Sequence, residues 1–171
     1  MKNGIKQWEV TIKGVSPLIQ NNPKSMLLDN PEKITPPEKL LYINKEGKVC
    51  QPATHIERSI AYAAFKINRK YSPIVKAFLN VEPKLILHKN QEWEPLEESV
   101  VIQRNRVFKE RPMIKDWELT FTVTAINPEL TGSIIKASLE RAGAYYGLGD
   151  WRAQKGGKYG FFEVTQFKEL K

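Results

Sequence analysis

Glycines, cations and aromatic residues are concentrated in one stretch near the C-terminal end of the sequence, Gly147–Gly160. Glycine permits positive φ and lets backbone N–H groups approach a phosphate chain closely. Arginine and lysine neutralise phosphates, and aromatic rings offer faces on which bases stack. The stretch therefore predicts contact with a nucleic acid, and a flexible connection with solvated charges is the alternative. The predicted contact residues are Gly147, Gly149, Trp151, Arg152, Lys155, Gly157, Lys158 and Tyr159.

A second basic cluster lies on two predicted strands. Ser99–Phe108 and Trp117–Ala125 both alternate in polarity, and we expect them to form a hairpin around the turn-like Lys109–Pro112. Cations near the end of this hairpin would either extend the basic surface of the glycine-rich stretch or protect a solvated sheet edge. The cations are Arg104, Arg106, Lys109, Arg111 and Lys115.

The sequence contains few residues that predict catalysis or metal binding. His55, at a predicted helix start, is the one candidate general base, as in a small endoribonuclease, and an exposed or capping histidine is the alternative. His88 has no acidic or cysteine companion that would indicate a metal. Asp150 is expected to hold Arg152 in place. We therefore predict no metal and no cofactor, and a binding protein rather than an enzyme.

Composition indicates a basic protein with one hydrophobic core. The 171 residues suit a single domain, and 27 Lys+Arg against 19 Asp+Glu favour a polyanionic partner. The single cysteine, Cys50, excludes an intramolecular disulfide and is expected in the core. No stretch approaches the ~20 apolar residues of a membrane span. Met1–Gly4 leads directly into a strand pattern, so we expect a cytoplasmic location with no membrane contact.

The periodic segments define the elements that must position these residues. Ile5–Val15 alternates as a half-buried strand, and Phe161–Phe167 is the predicted last strand. One predicted helix begins at Thr54, with Glu57 completing a capping box, and a second begins at Thr131 and ends at Gly147. A short helix over 73–79 and a short strand over 85–87 are also expected.

Between the first strand and the first helix, residues 16–51 form a long excursion. Six of the eleven prolines fall between Pro17 and Pro52, and they interrupt any regular strand. Leu41–Ile43 and Lys48–Cys50 flank a turn and predict a small hairpin. Without this insertion the order is βαββαβ, which predicts an α+β, ferredoxin-like and RRM-like fold with two helices on one face of an antiparallel sheet.

Three segments in this order resemble the RAMP superfamily, which includes the RNA-binding backbone subunits of CRISPR effector complexes. Val10–Leu18 is similar to that family's first strand and its "(S/T)PL" turn. Val49–Ile60 resembles its "IPGSSLKGALR" helix start, with Pro52 and Thr54 at matching positions. Gly147–Val164 resembles its "GGRRSRGFGRVEV" loop and last strand. The Gly-Ser-Ser of the family is replaced here by Ala53-Thr-His.

The resemblance implies a single RAMP-like domain over 1–171 that binds single-stranded nucleic acid, with RNA expected. It adds Thr54 and Arg58 to the predicted contacts and implies a homo-oligomer along a strand or a seat in a ribonucleoprotein in a bacterial or phage-infected cell. Short bacteriophage proteins share the same framework. Two alternatives therefore stay open: a RAMP-type endoribonuclease using His55, and a phage protein that binds a host defence or replication protein.

Overall fold

The protein is built on a central four-stranded antiparallel sheet with helices packed on one face. The computed structural model describes residues 4–25 and 35–171. The helices are α1 (Ala53–Ile67), α2 (Tyr71–Phe78) and α3 (Gly132–Arg141). The strands are β1 (Lys6–Gly14), β2 (Leu18–Ile19), β3 (Cys50–Pro52), β4 (Leu79–Glu82), β5 (Leu85–Leu87), β6 (Glu94–Ile102), β7 (Asn105–Ile114), β8 (Glu118–Ala125) and β9 (Phe162–Leu170).

The central sheet has the strand order β4-β8-β1-β9, and every neighbouring pair is antiparallel. Alternate residues of β1, namely Trp8, Val10 and Ile12, are buried in the core together with Ile56 and Ile60 of α1. The other residues of β1 face away from the helices, which explains its period-two pattern. The predicted α+β class with antiparallel strands is confirmed.

In chain order, the second strand of the central sheet is β4, and the sequence did not predict it. It is only four residues long, Leu79–Glu82, and it follows α2 directly. Four residues carry too little alternation to be distinguished from the end of the preceding helix. The predicted short helix over 73–79 is confirmed as α2, and the predicted strand over 85–87 is confirmed as β5, although it pairs with β3 rather than with the central sheet.

The prediction of one strand over Ser99–Phe108 is wrong. The chain reverses at Gln103 and Arg104, whose φ values are 49° and 69°, and β6 and β7 form a hairpin around them. Neither glycine nor proline marks this turn, so the polarity pattern runs through it without a visible break. The predicted partner strand exists as β8, but it pairs with β1 and β4.

The predicted capping box at Thr54 is also wrong, whereas the second helix start is confirmed. Helix α1 begins at Ala53 after Pro52, with no side-chain cap, and the Glu57 carboxylate instead accepts from the Val81 backbone N–H at 2.9 Å. The Thr131 side chain accepts from the backbone N–H of Ile134 at the start of α3.

The described residues between β1 and α1, which are 15–25 and 35–52, contain little regular structure. A single bridge joins Ile43 and Val49 where a hairpin was predicted, and Cys50 belongs to β3 and is buried. The Asp29-Asn30-Pro31 turn signal and the predicted N-terminal lead-in at Met1–Asn3 lie outside the described residues. In the part of the chain that the structure describes, no helix is long and apolar enough to cross a membrane.

Candidate nucleic-acid interface

A groove of about 840 Å³ runs between helix α1 and the chain that follows α3. Its wall on one side includes His55 and Arg58, and on the other side Gly149 and Arg152. Two segments that are about ninety residues apart in the sequence, and that were both predicted to contact nucleic acid, therefore line one cavity.

The glycine-rich loop 147–160 is joined by backbone hydrogen bonds to the residues that follow β1. The Asp150 N–H donates to the Ile19 carbonyl at 2.8 Å, and the Gly160 N–H donates to the Pro17 carbonyl at 2.8 Å. Gly149 has φ of +81°, and a side chain there would collide with the Ile19 carbonyl oxygen. Glycine is thus required for the loop to approach the protein's own backbone.

This packing changes the predicted role of the glycines. The N–H groups of Gly147, Gly156, Gly157 and Gly160 all donate to backbone carbonyls within the protein. They are not available to a phosphate chain, which was the contact expected from the sequence. Of the three glycines predicted to contact a strand, Gly147 and Gly157 therefore use their N–H groups within the protein.

Arg111 of β7 joins the hairpin to the loop. Its Nε donates to Oδ2 of Asp150 at 3.1 Å, and its guanidinium lies 5.6 Å from the ring centre of Trp151. The side chain is only 10% exposed. The expectation that Asp150 holds Arg152 is wrong, because Asp150 pairs with Arg111 and Arg152 bonds to Gly149 and Gln154. The prediction that Arg111 contacts a nucleic acid stays a prediction.

Arg152 is held at the rim of the groove by its own loop. Its Nη1 donates to the Gly149 carbonyl at 2.9 Å and its Nε donates to Oε1 of Gln154 at 3.0 Å. These bonds fix the planar guanidinium in a half-buried position. Arg58, on the facing helix, is exposed.

His55 lines the same groove as these two arginines and is electrically neutral at pH 7. Burial first, and then the charges of Arg58 and Arg152, lower the pKa of His55 to about 4. Tyr42 packs its ring edge-on against the imidazole, with ring centres 5.2 Å apart. Nδ1 of His55 lies 2.7 Å from Nε2 of Gln51.

Aromatic side chains extend the groove along α1. Tyr62 and Phe65 line it, and each is 37% exposed. Tyr62 contacts Tyr146 edge-to-face with ring centres 4.8 Å apart. Tyr145 beside them is 64% exposed, and the Arg141 guanidinium lies over its ring.

The other predicted contact residues lie outside the groove. Lys155 and Lys158 are exposed on the outer part of the loop, and Tyr159 packs against Trp151 with ring centres 6.3 Å apart. Thr54 is exposed on the first turn of α1. Arg104 and Arg106 are exposed at the end of the β6–β7 hairpin, and half-buried Lys109 lies opposite Glu98 in the register of its stem.

Sequence reasoning missed the buried amides beneath His55. Gln20 and Gln51 are 1% and 0% exposed and bond to each other. Polar side chains in irregular segments next to prolines give no periodic signal, so burial there was not predictable. Among the residues that the structure describes, no three His, Cys, Asp or Glu side chains come together as metal ligands.

The open face of the central sheet is polar and lacks aromatic rings. Its residues on β1 and β8 include Glu9, Thr11, Thr120 and Thr122, and the Thr11 and Thr120 hydroxyls lie 2.9 Å apart. RRM domains stack bases on aromatic residues of this face. The sheet face here offers no such platform, in contrast to the groove.

No protein-family model and no curated protein matches the sequence of this chain. Among solved structures, a chain from the cryo-EM structure of the Type III-B Cmr-beta bound to cognate target RNA is similar, with a TM-score of 0.69 over 98% of this chain and 13% sequence identity. This chain covers 61% of the length of that one. At this identity the similarity shows a shared fold alone.

Proposed function

We propose that this chain is a RAMP-like protein that binds single-stranded nucleic acid, with RNA as the expected ligand, in the groove between α1 and loop 147–160, and that it does not cleave the strand. The observation that carries this proposal is that Arg58, Arg152 and the neutral imidazole of His55 line one groove. Two guanidinium groups in one groove match the charge and the bidentate geometry of phosphate oxygens.

The aromatic part of the groove supplies the second contact that a single strand needs. Tyr62 and Phe65 lie along α1 beyond Arg58, and exposed Tyr145 lies beside Tyr146, whose ring contacts Tyr62. A base stacked on an exposed ring contributes about 1–3 kcal/mol and does so without regard to sequence. A strand whose phosphate lies at the arginines can therefore place a base on these rings.

The strand order supports a ferredoxin-like core in which α1 and α3 follow the first and third strands of the order β1, β4, β8, β9. In this proposal residues 16–51 are an insertion in a single domain. The similar chain belongs to a structure that is bound to target RNA. We propose that the chain is a subunit of a CRISPR-type ribonucleoprotein, or that several copies of it bind side by side along one nucleic-acid strand.

The test is a binding titration of the whole chain with fluorescently labelled poly-uridine RNA of about 20 nucleotides over a range of salt concentrations. The double variant Arg58→Gln, Arg152→Gln removes both groove cations. We expect its affinity to fall by roughly tenfold or more, because two charge-assisted hydrogen-bonding groups are removed. The slope of log K against log salt should become shallower by about 1.4, since each phosphate that is no longer neutralised accounts for about 0.7.

The matched control is Lys13→Gln, Lys168→Gln, which changes the net charge equally on exposed residues of the open sheet face. We expect this control to bind almost as well as the parent chain. Equal reductions in the two double variants, or no binding by the parent chain, would overturn the proposal. A DNA oligonucleotide of the same length, titrated in parallel, tests the expectation of RNA.

A further inference from the structure

The orientation of the buried Gln20 side-chain amide is determined by two backbone groups. Its Oε1 accepts from the Tyr42 N–H at 2.9 Å, and its Nε2 donates to the Cys50 carbonyl at 2.8 Å. A backbone N–H only donates and a carbonyl only accepts, so the oxygen and nitrogen of this amide cannot exchange places. The orientation of the Gln20 amide therefore determines the direction of its hydrogen bonds to other side chains.

Gln20 in turn orients Gln51. The second hydrogen on Gln20 Nε2 points to Oε1 of Gln51 at 3.0 Å, so the acceptor end of Gln51 faces Gln20. His88 Nε2 lies 3.1 Å from the same oxygen and donates to it. The Gln51 amide nitrogen is left on the side of His55, 2.7 Å from Nδ1.

An amide nitrogen has hydrogens to give and no lone pair to offer, so His55 Nδ1 must be the acceptor. The neutral imidazole then carries its one hydrogen on Nε2. The low pKa of His55 is consistent with this neutral form. Gln20, Gln51 and His88 are at most 1% exposed, so water does not replace any of these partners.

We propose that Gln20 and Gln51 are positioning residues that hold His55 in the tautomer with hydrogen on Nε2, so that His55 acts as a neutral hydrogen-bond donor to a phosphate oxygen between Arg58 and Arg152. This rests on the proposed function, since it names what the groove offers to the strand. Two guanidinium groups and one N–H donor make a site that favours a ligand atom that only accepts.

The first test reads the tautomer in the free protein. Long-range ¹H–¹⁵N spectra of the ¹⁵N-labelled chain at pH 7 distinguish the two tautomers, and the signals that disappear in His55→Gln belong to His55. We expect hydrogen on Nε2 in the parent chain and a mixture of tautomers in Gln51→Met. Hydrogen on Nδ1 in the parent chain would overturn the proposal, whether or not Gln51→Met folds.

The second test compares two replacements of His55 in the poly-uridine titration. A glutamine side chain reaches the place of Nε2 and retains an N–H donor there, whereas asparagine reaches only the place of Nδ1. We expect His55→Gln to bind within about threefold of the parent chain and His55→Asn to bind roughly tenfold more weakly. Equal affinities of the two variants would overturn the donor role.

The two proposals fail in distinguishable ways. The tautomer is measured without nucleic acid, so an Nδ1–H signal removes the inference about Gln20 and Gln51 while the arginine variants still test binding. A parent chain that does not bind RNA or DNA removes the proposed function whatever the tautomer is.

Discussion

Nε of Arg111 donates to Oδ2 of Asp150 across 3.1 Å, and this bond connects strand β7 to loop 147–160. The arginine side chain is 10% exposed and the aspartate 29%. A pair that is largely withdrawn from water is costly to break from one side, because the remaining charge is left without its partner. The stability of the loop should therefore depend on both residues together.

We expect a double-mutant cycle of Arg111→Ala and Asp150→Ala to give a coupling energy of about 1–3 kcal/mol in urea unfolding. Lys115, which follows β7, and Glu94 of β6 form an exposed pair at 2.9 Å that provides the control cycle, and we expect no coupling above error there. Similar coupling in both cycles would contradict the structural role of Arg111.

Two glycines of the loop share a left-handed backbone but differ in their surroundings. Gly149 and Gly156 have φ of +81° and +83°, yet an added side chain meets the Ile19 carbonyl at the first and nothing within 4 Å at the second. We expect Gly156→Ala to lower the free energy of unfolding by about 1 kcal/mol from backbone strain alone. Gly149→Ala should cost clearly more and weaken RNA binding, as thermal unfolding and titration will measure.

Acid should destabilise the fold through its buried histidine. Burial lowers the pKa of His88 from 6.5 to about 4, so between these values the unfolded chain takes up a proton that the folded chain does not. The stability from this group is complete above pH 6.5 and is lost as the pH falls toward 4. We expect urea unfolding across the range from neutral pH to the lower of these values to show a slope of about 1.4 kcal/mol per pH unit for this histidine.

The variant His88→Gln isolates this effect, since it removes the titrating group and keeps a polar side chain. Its free energy of unfolding should be lower at neutral pH than that of the parent chain, and it should depend less on pH below 6.5. An unchanged slope would assign the acid sensitivity to other groups.

The cations at the end of the β6–β7 hairpin test how far the strand extends from the groove. If Arg104, Arg106 and Lys109 each contact a phosphate, replacing all three by glutamine should make the salt slope shallower by about 2. Three exposed lysines, Lys13, Lys84 and Lys168, serve as a charge-matched control. A slope equal to that of the parent chain would confine the contact to the groove.

The proposed binding role predicts that RNA stays intact. His55 has its Nδ1 occupied by Gln51, and a histidine with hydrogen on Nε2 cannot accept a proton there. We expect no cleavage of structured or single-stranded RNA on denaturing gels after prolonged incubation, with or without divalent cations. Cleavage that disappears in His55→Ala would instead support the endoribonuclease alternative.

Long periodic segments were predictable from the sequence because their burial pattern repeats. β1, β8, α1, α3 and β9 all lie close to their predicted places. The α-helix α3 ends at Arg141, a π-helical turn over Ala142–Tyr146 continues it, and Gly147 follows with the positive φ that glycine favours at a helix end. Short β4 was not predictable, because its four residues acquire strand character only by pairing with β8.

Only part of the candidate site could be predicted from the sequence, because some of its contacts join residues that are far apart in the chain. Arg152 could be named because a cation among glycines is visible in the sequence, whereas Arg58 was named only through the resemblance to RAMP proteins. The partner of Asp150 could not be identified, since Arg111 comes from a distant strand whose turn at Gln103 and Arg104 carries no glycine. The bonds that link Gln20 to Gln51 and His55 depend on two distant segments meeting in space.

The bonds from loop 147–160 to Pro17 and Ile19 also determine when the groove can exist during synthesis. A ribosome completes β1, α1 and the β6–β7 hairpin well before the loop emerges, so the nascent chain displays α1 with one wall of the groove missing. Contacts between such distant segments form late in folding. A chain that stops before the loop would thus carry Arg58 and His55 on α1 with the opposite side of the groove, formed by Gly149 and Arg152, missing.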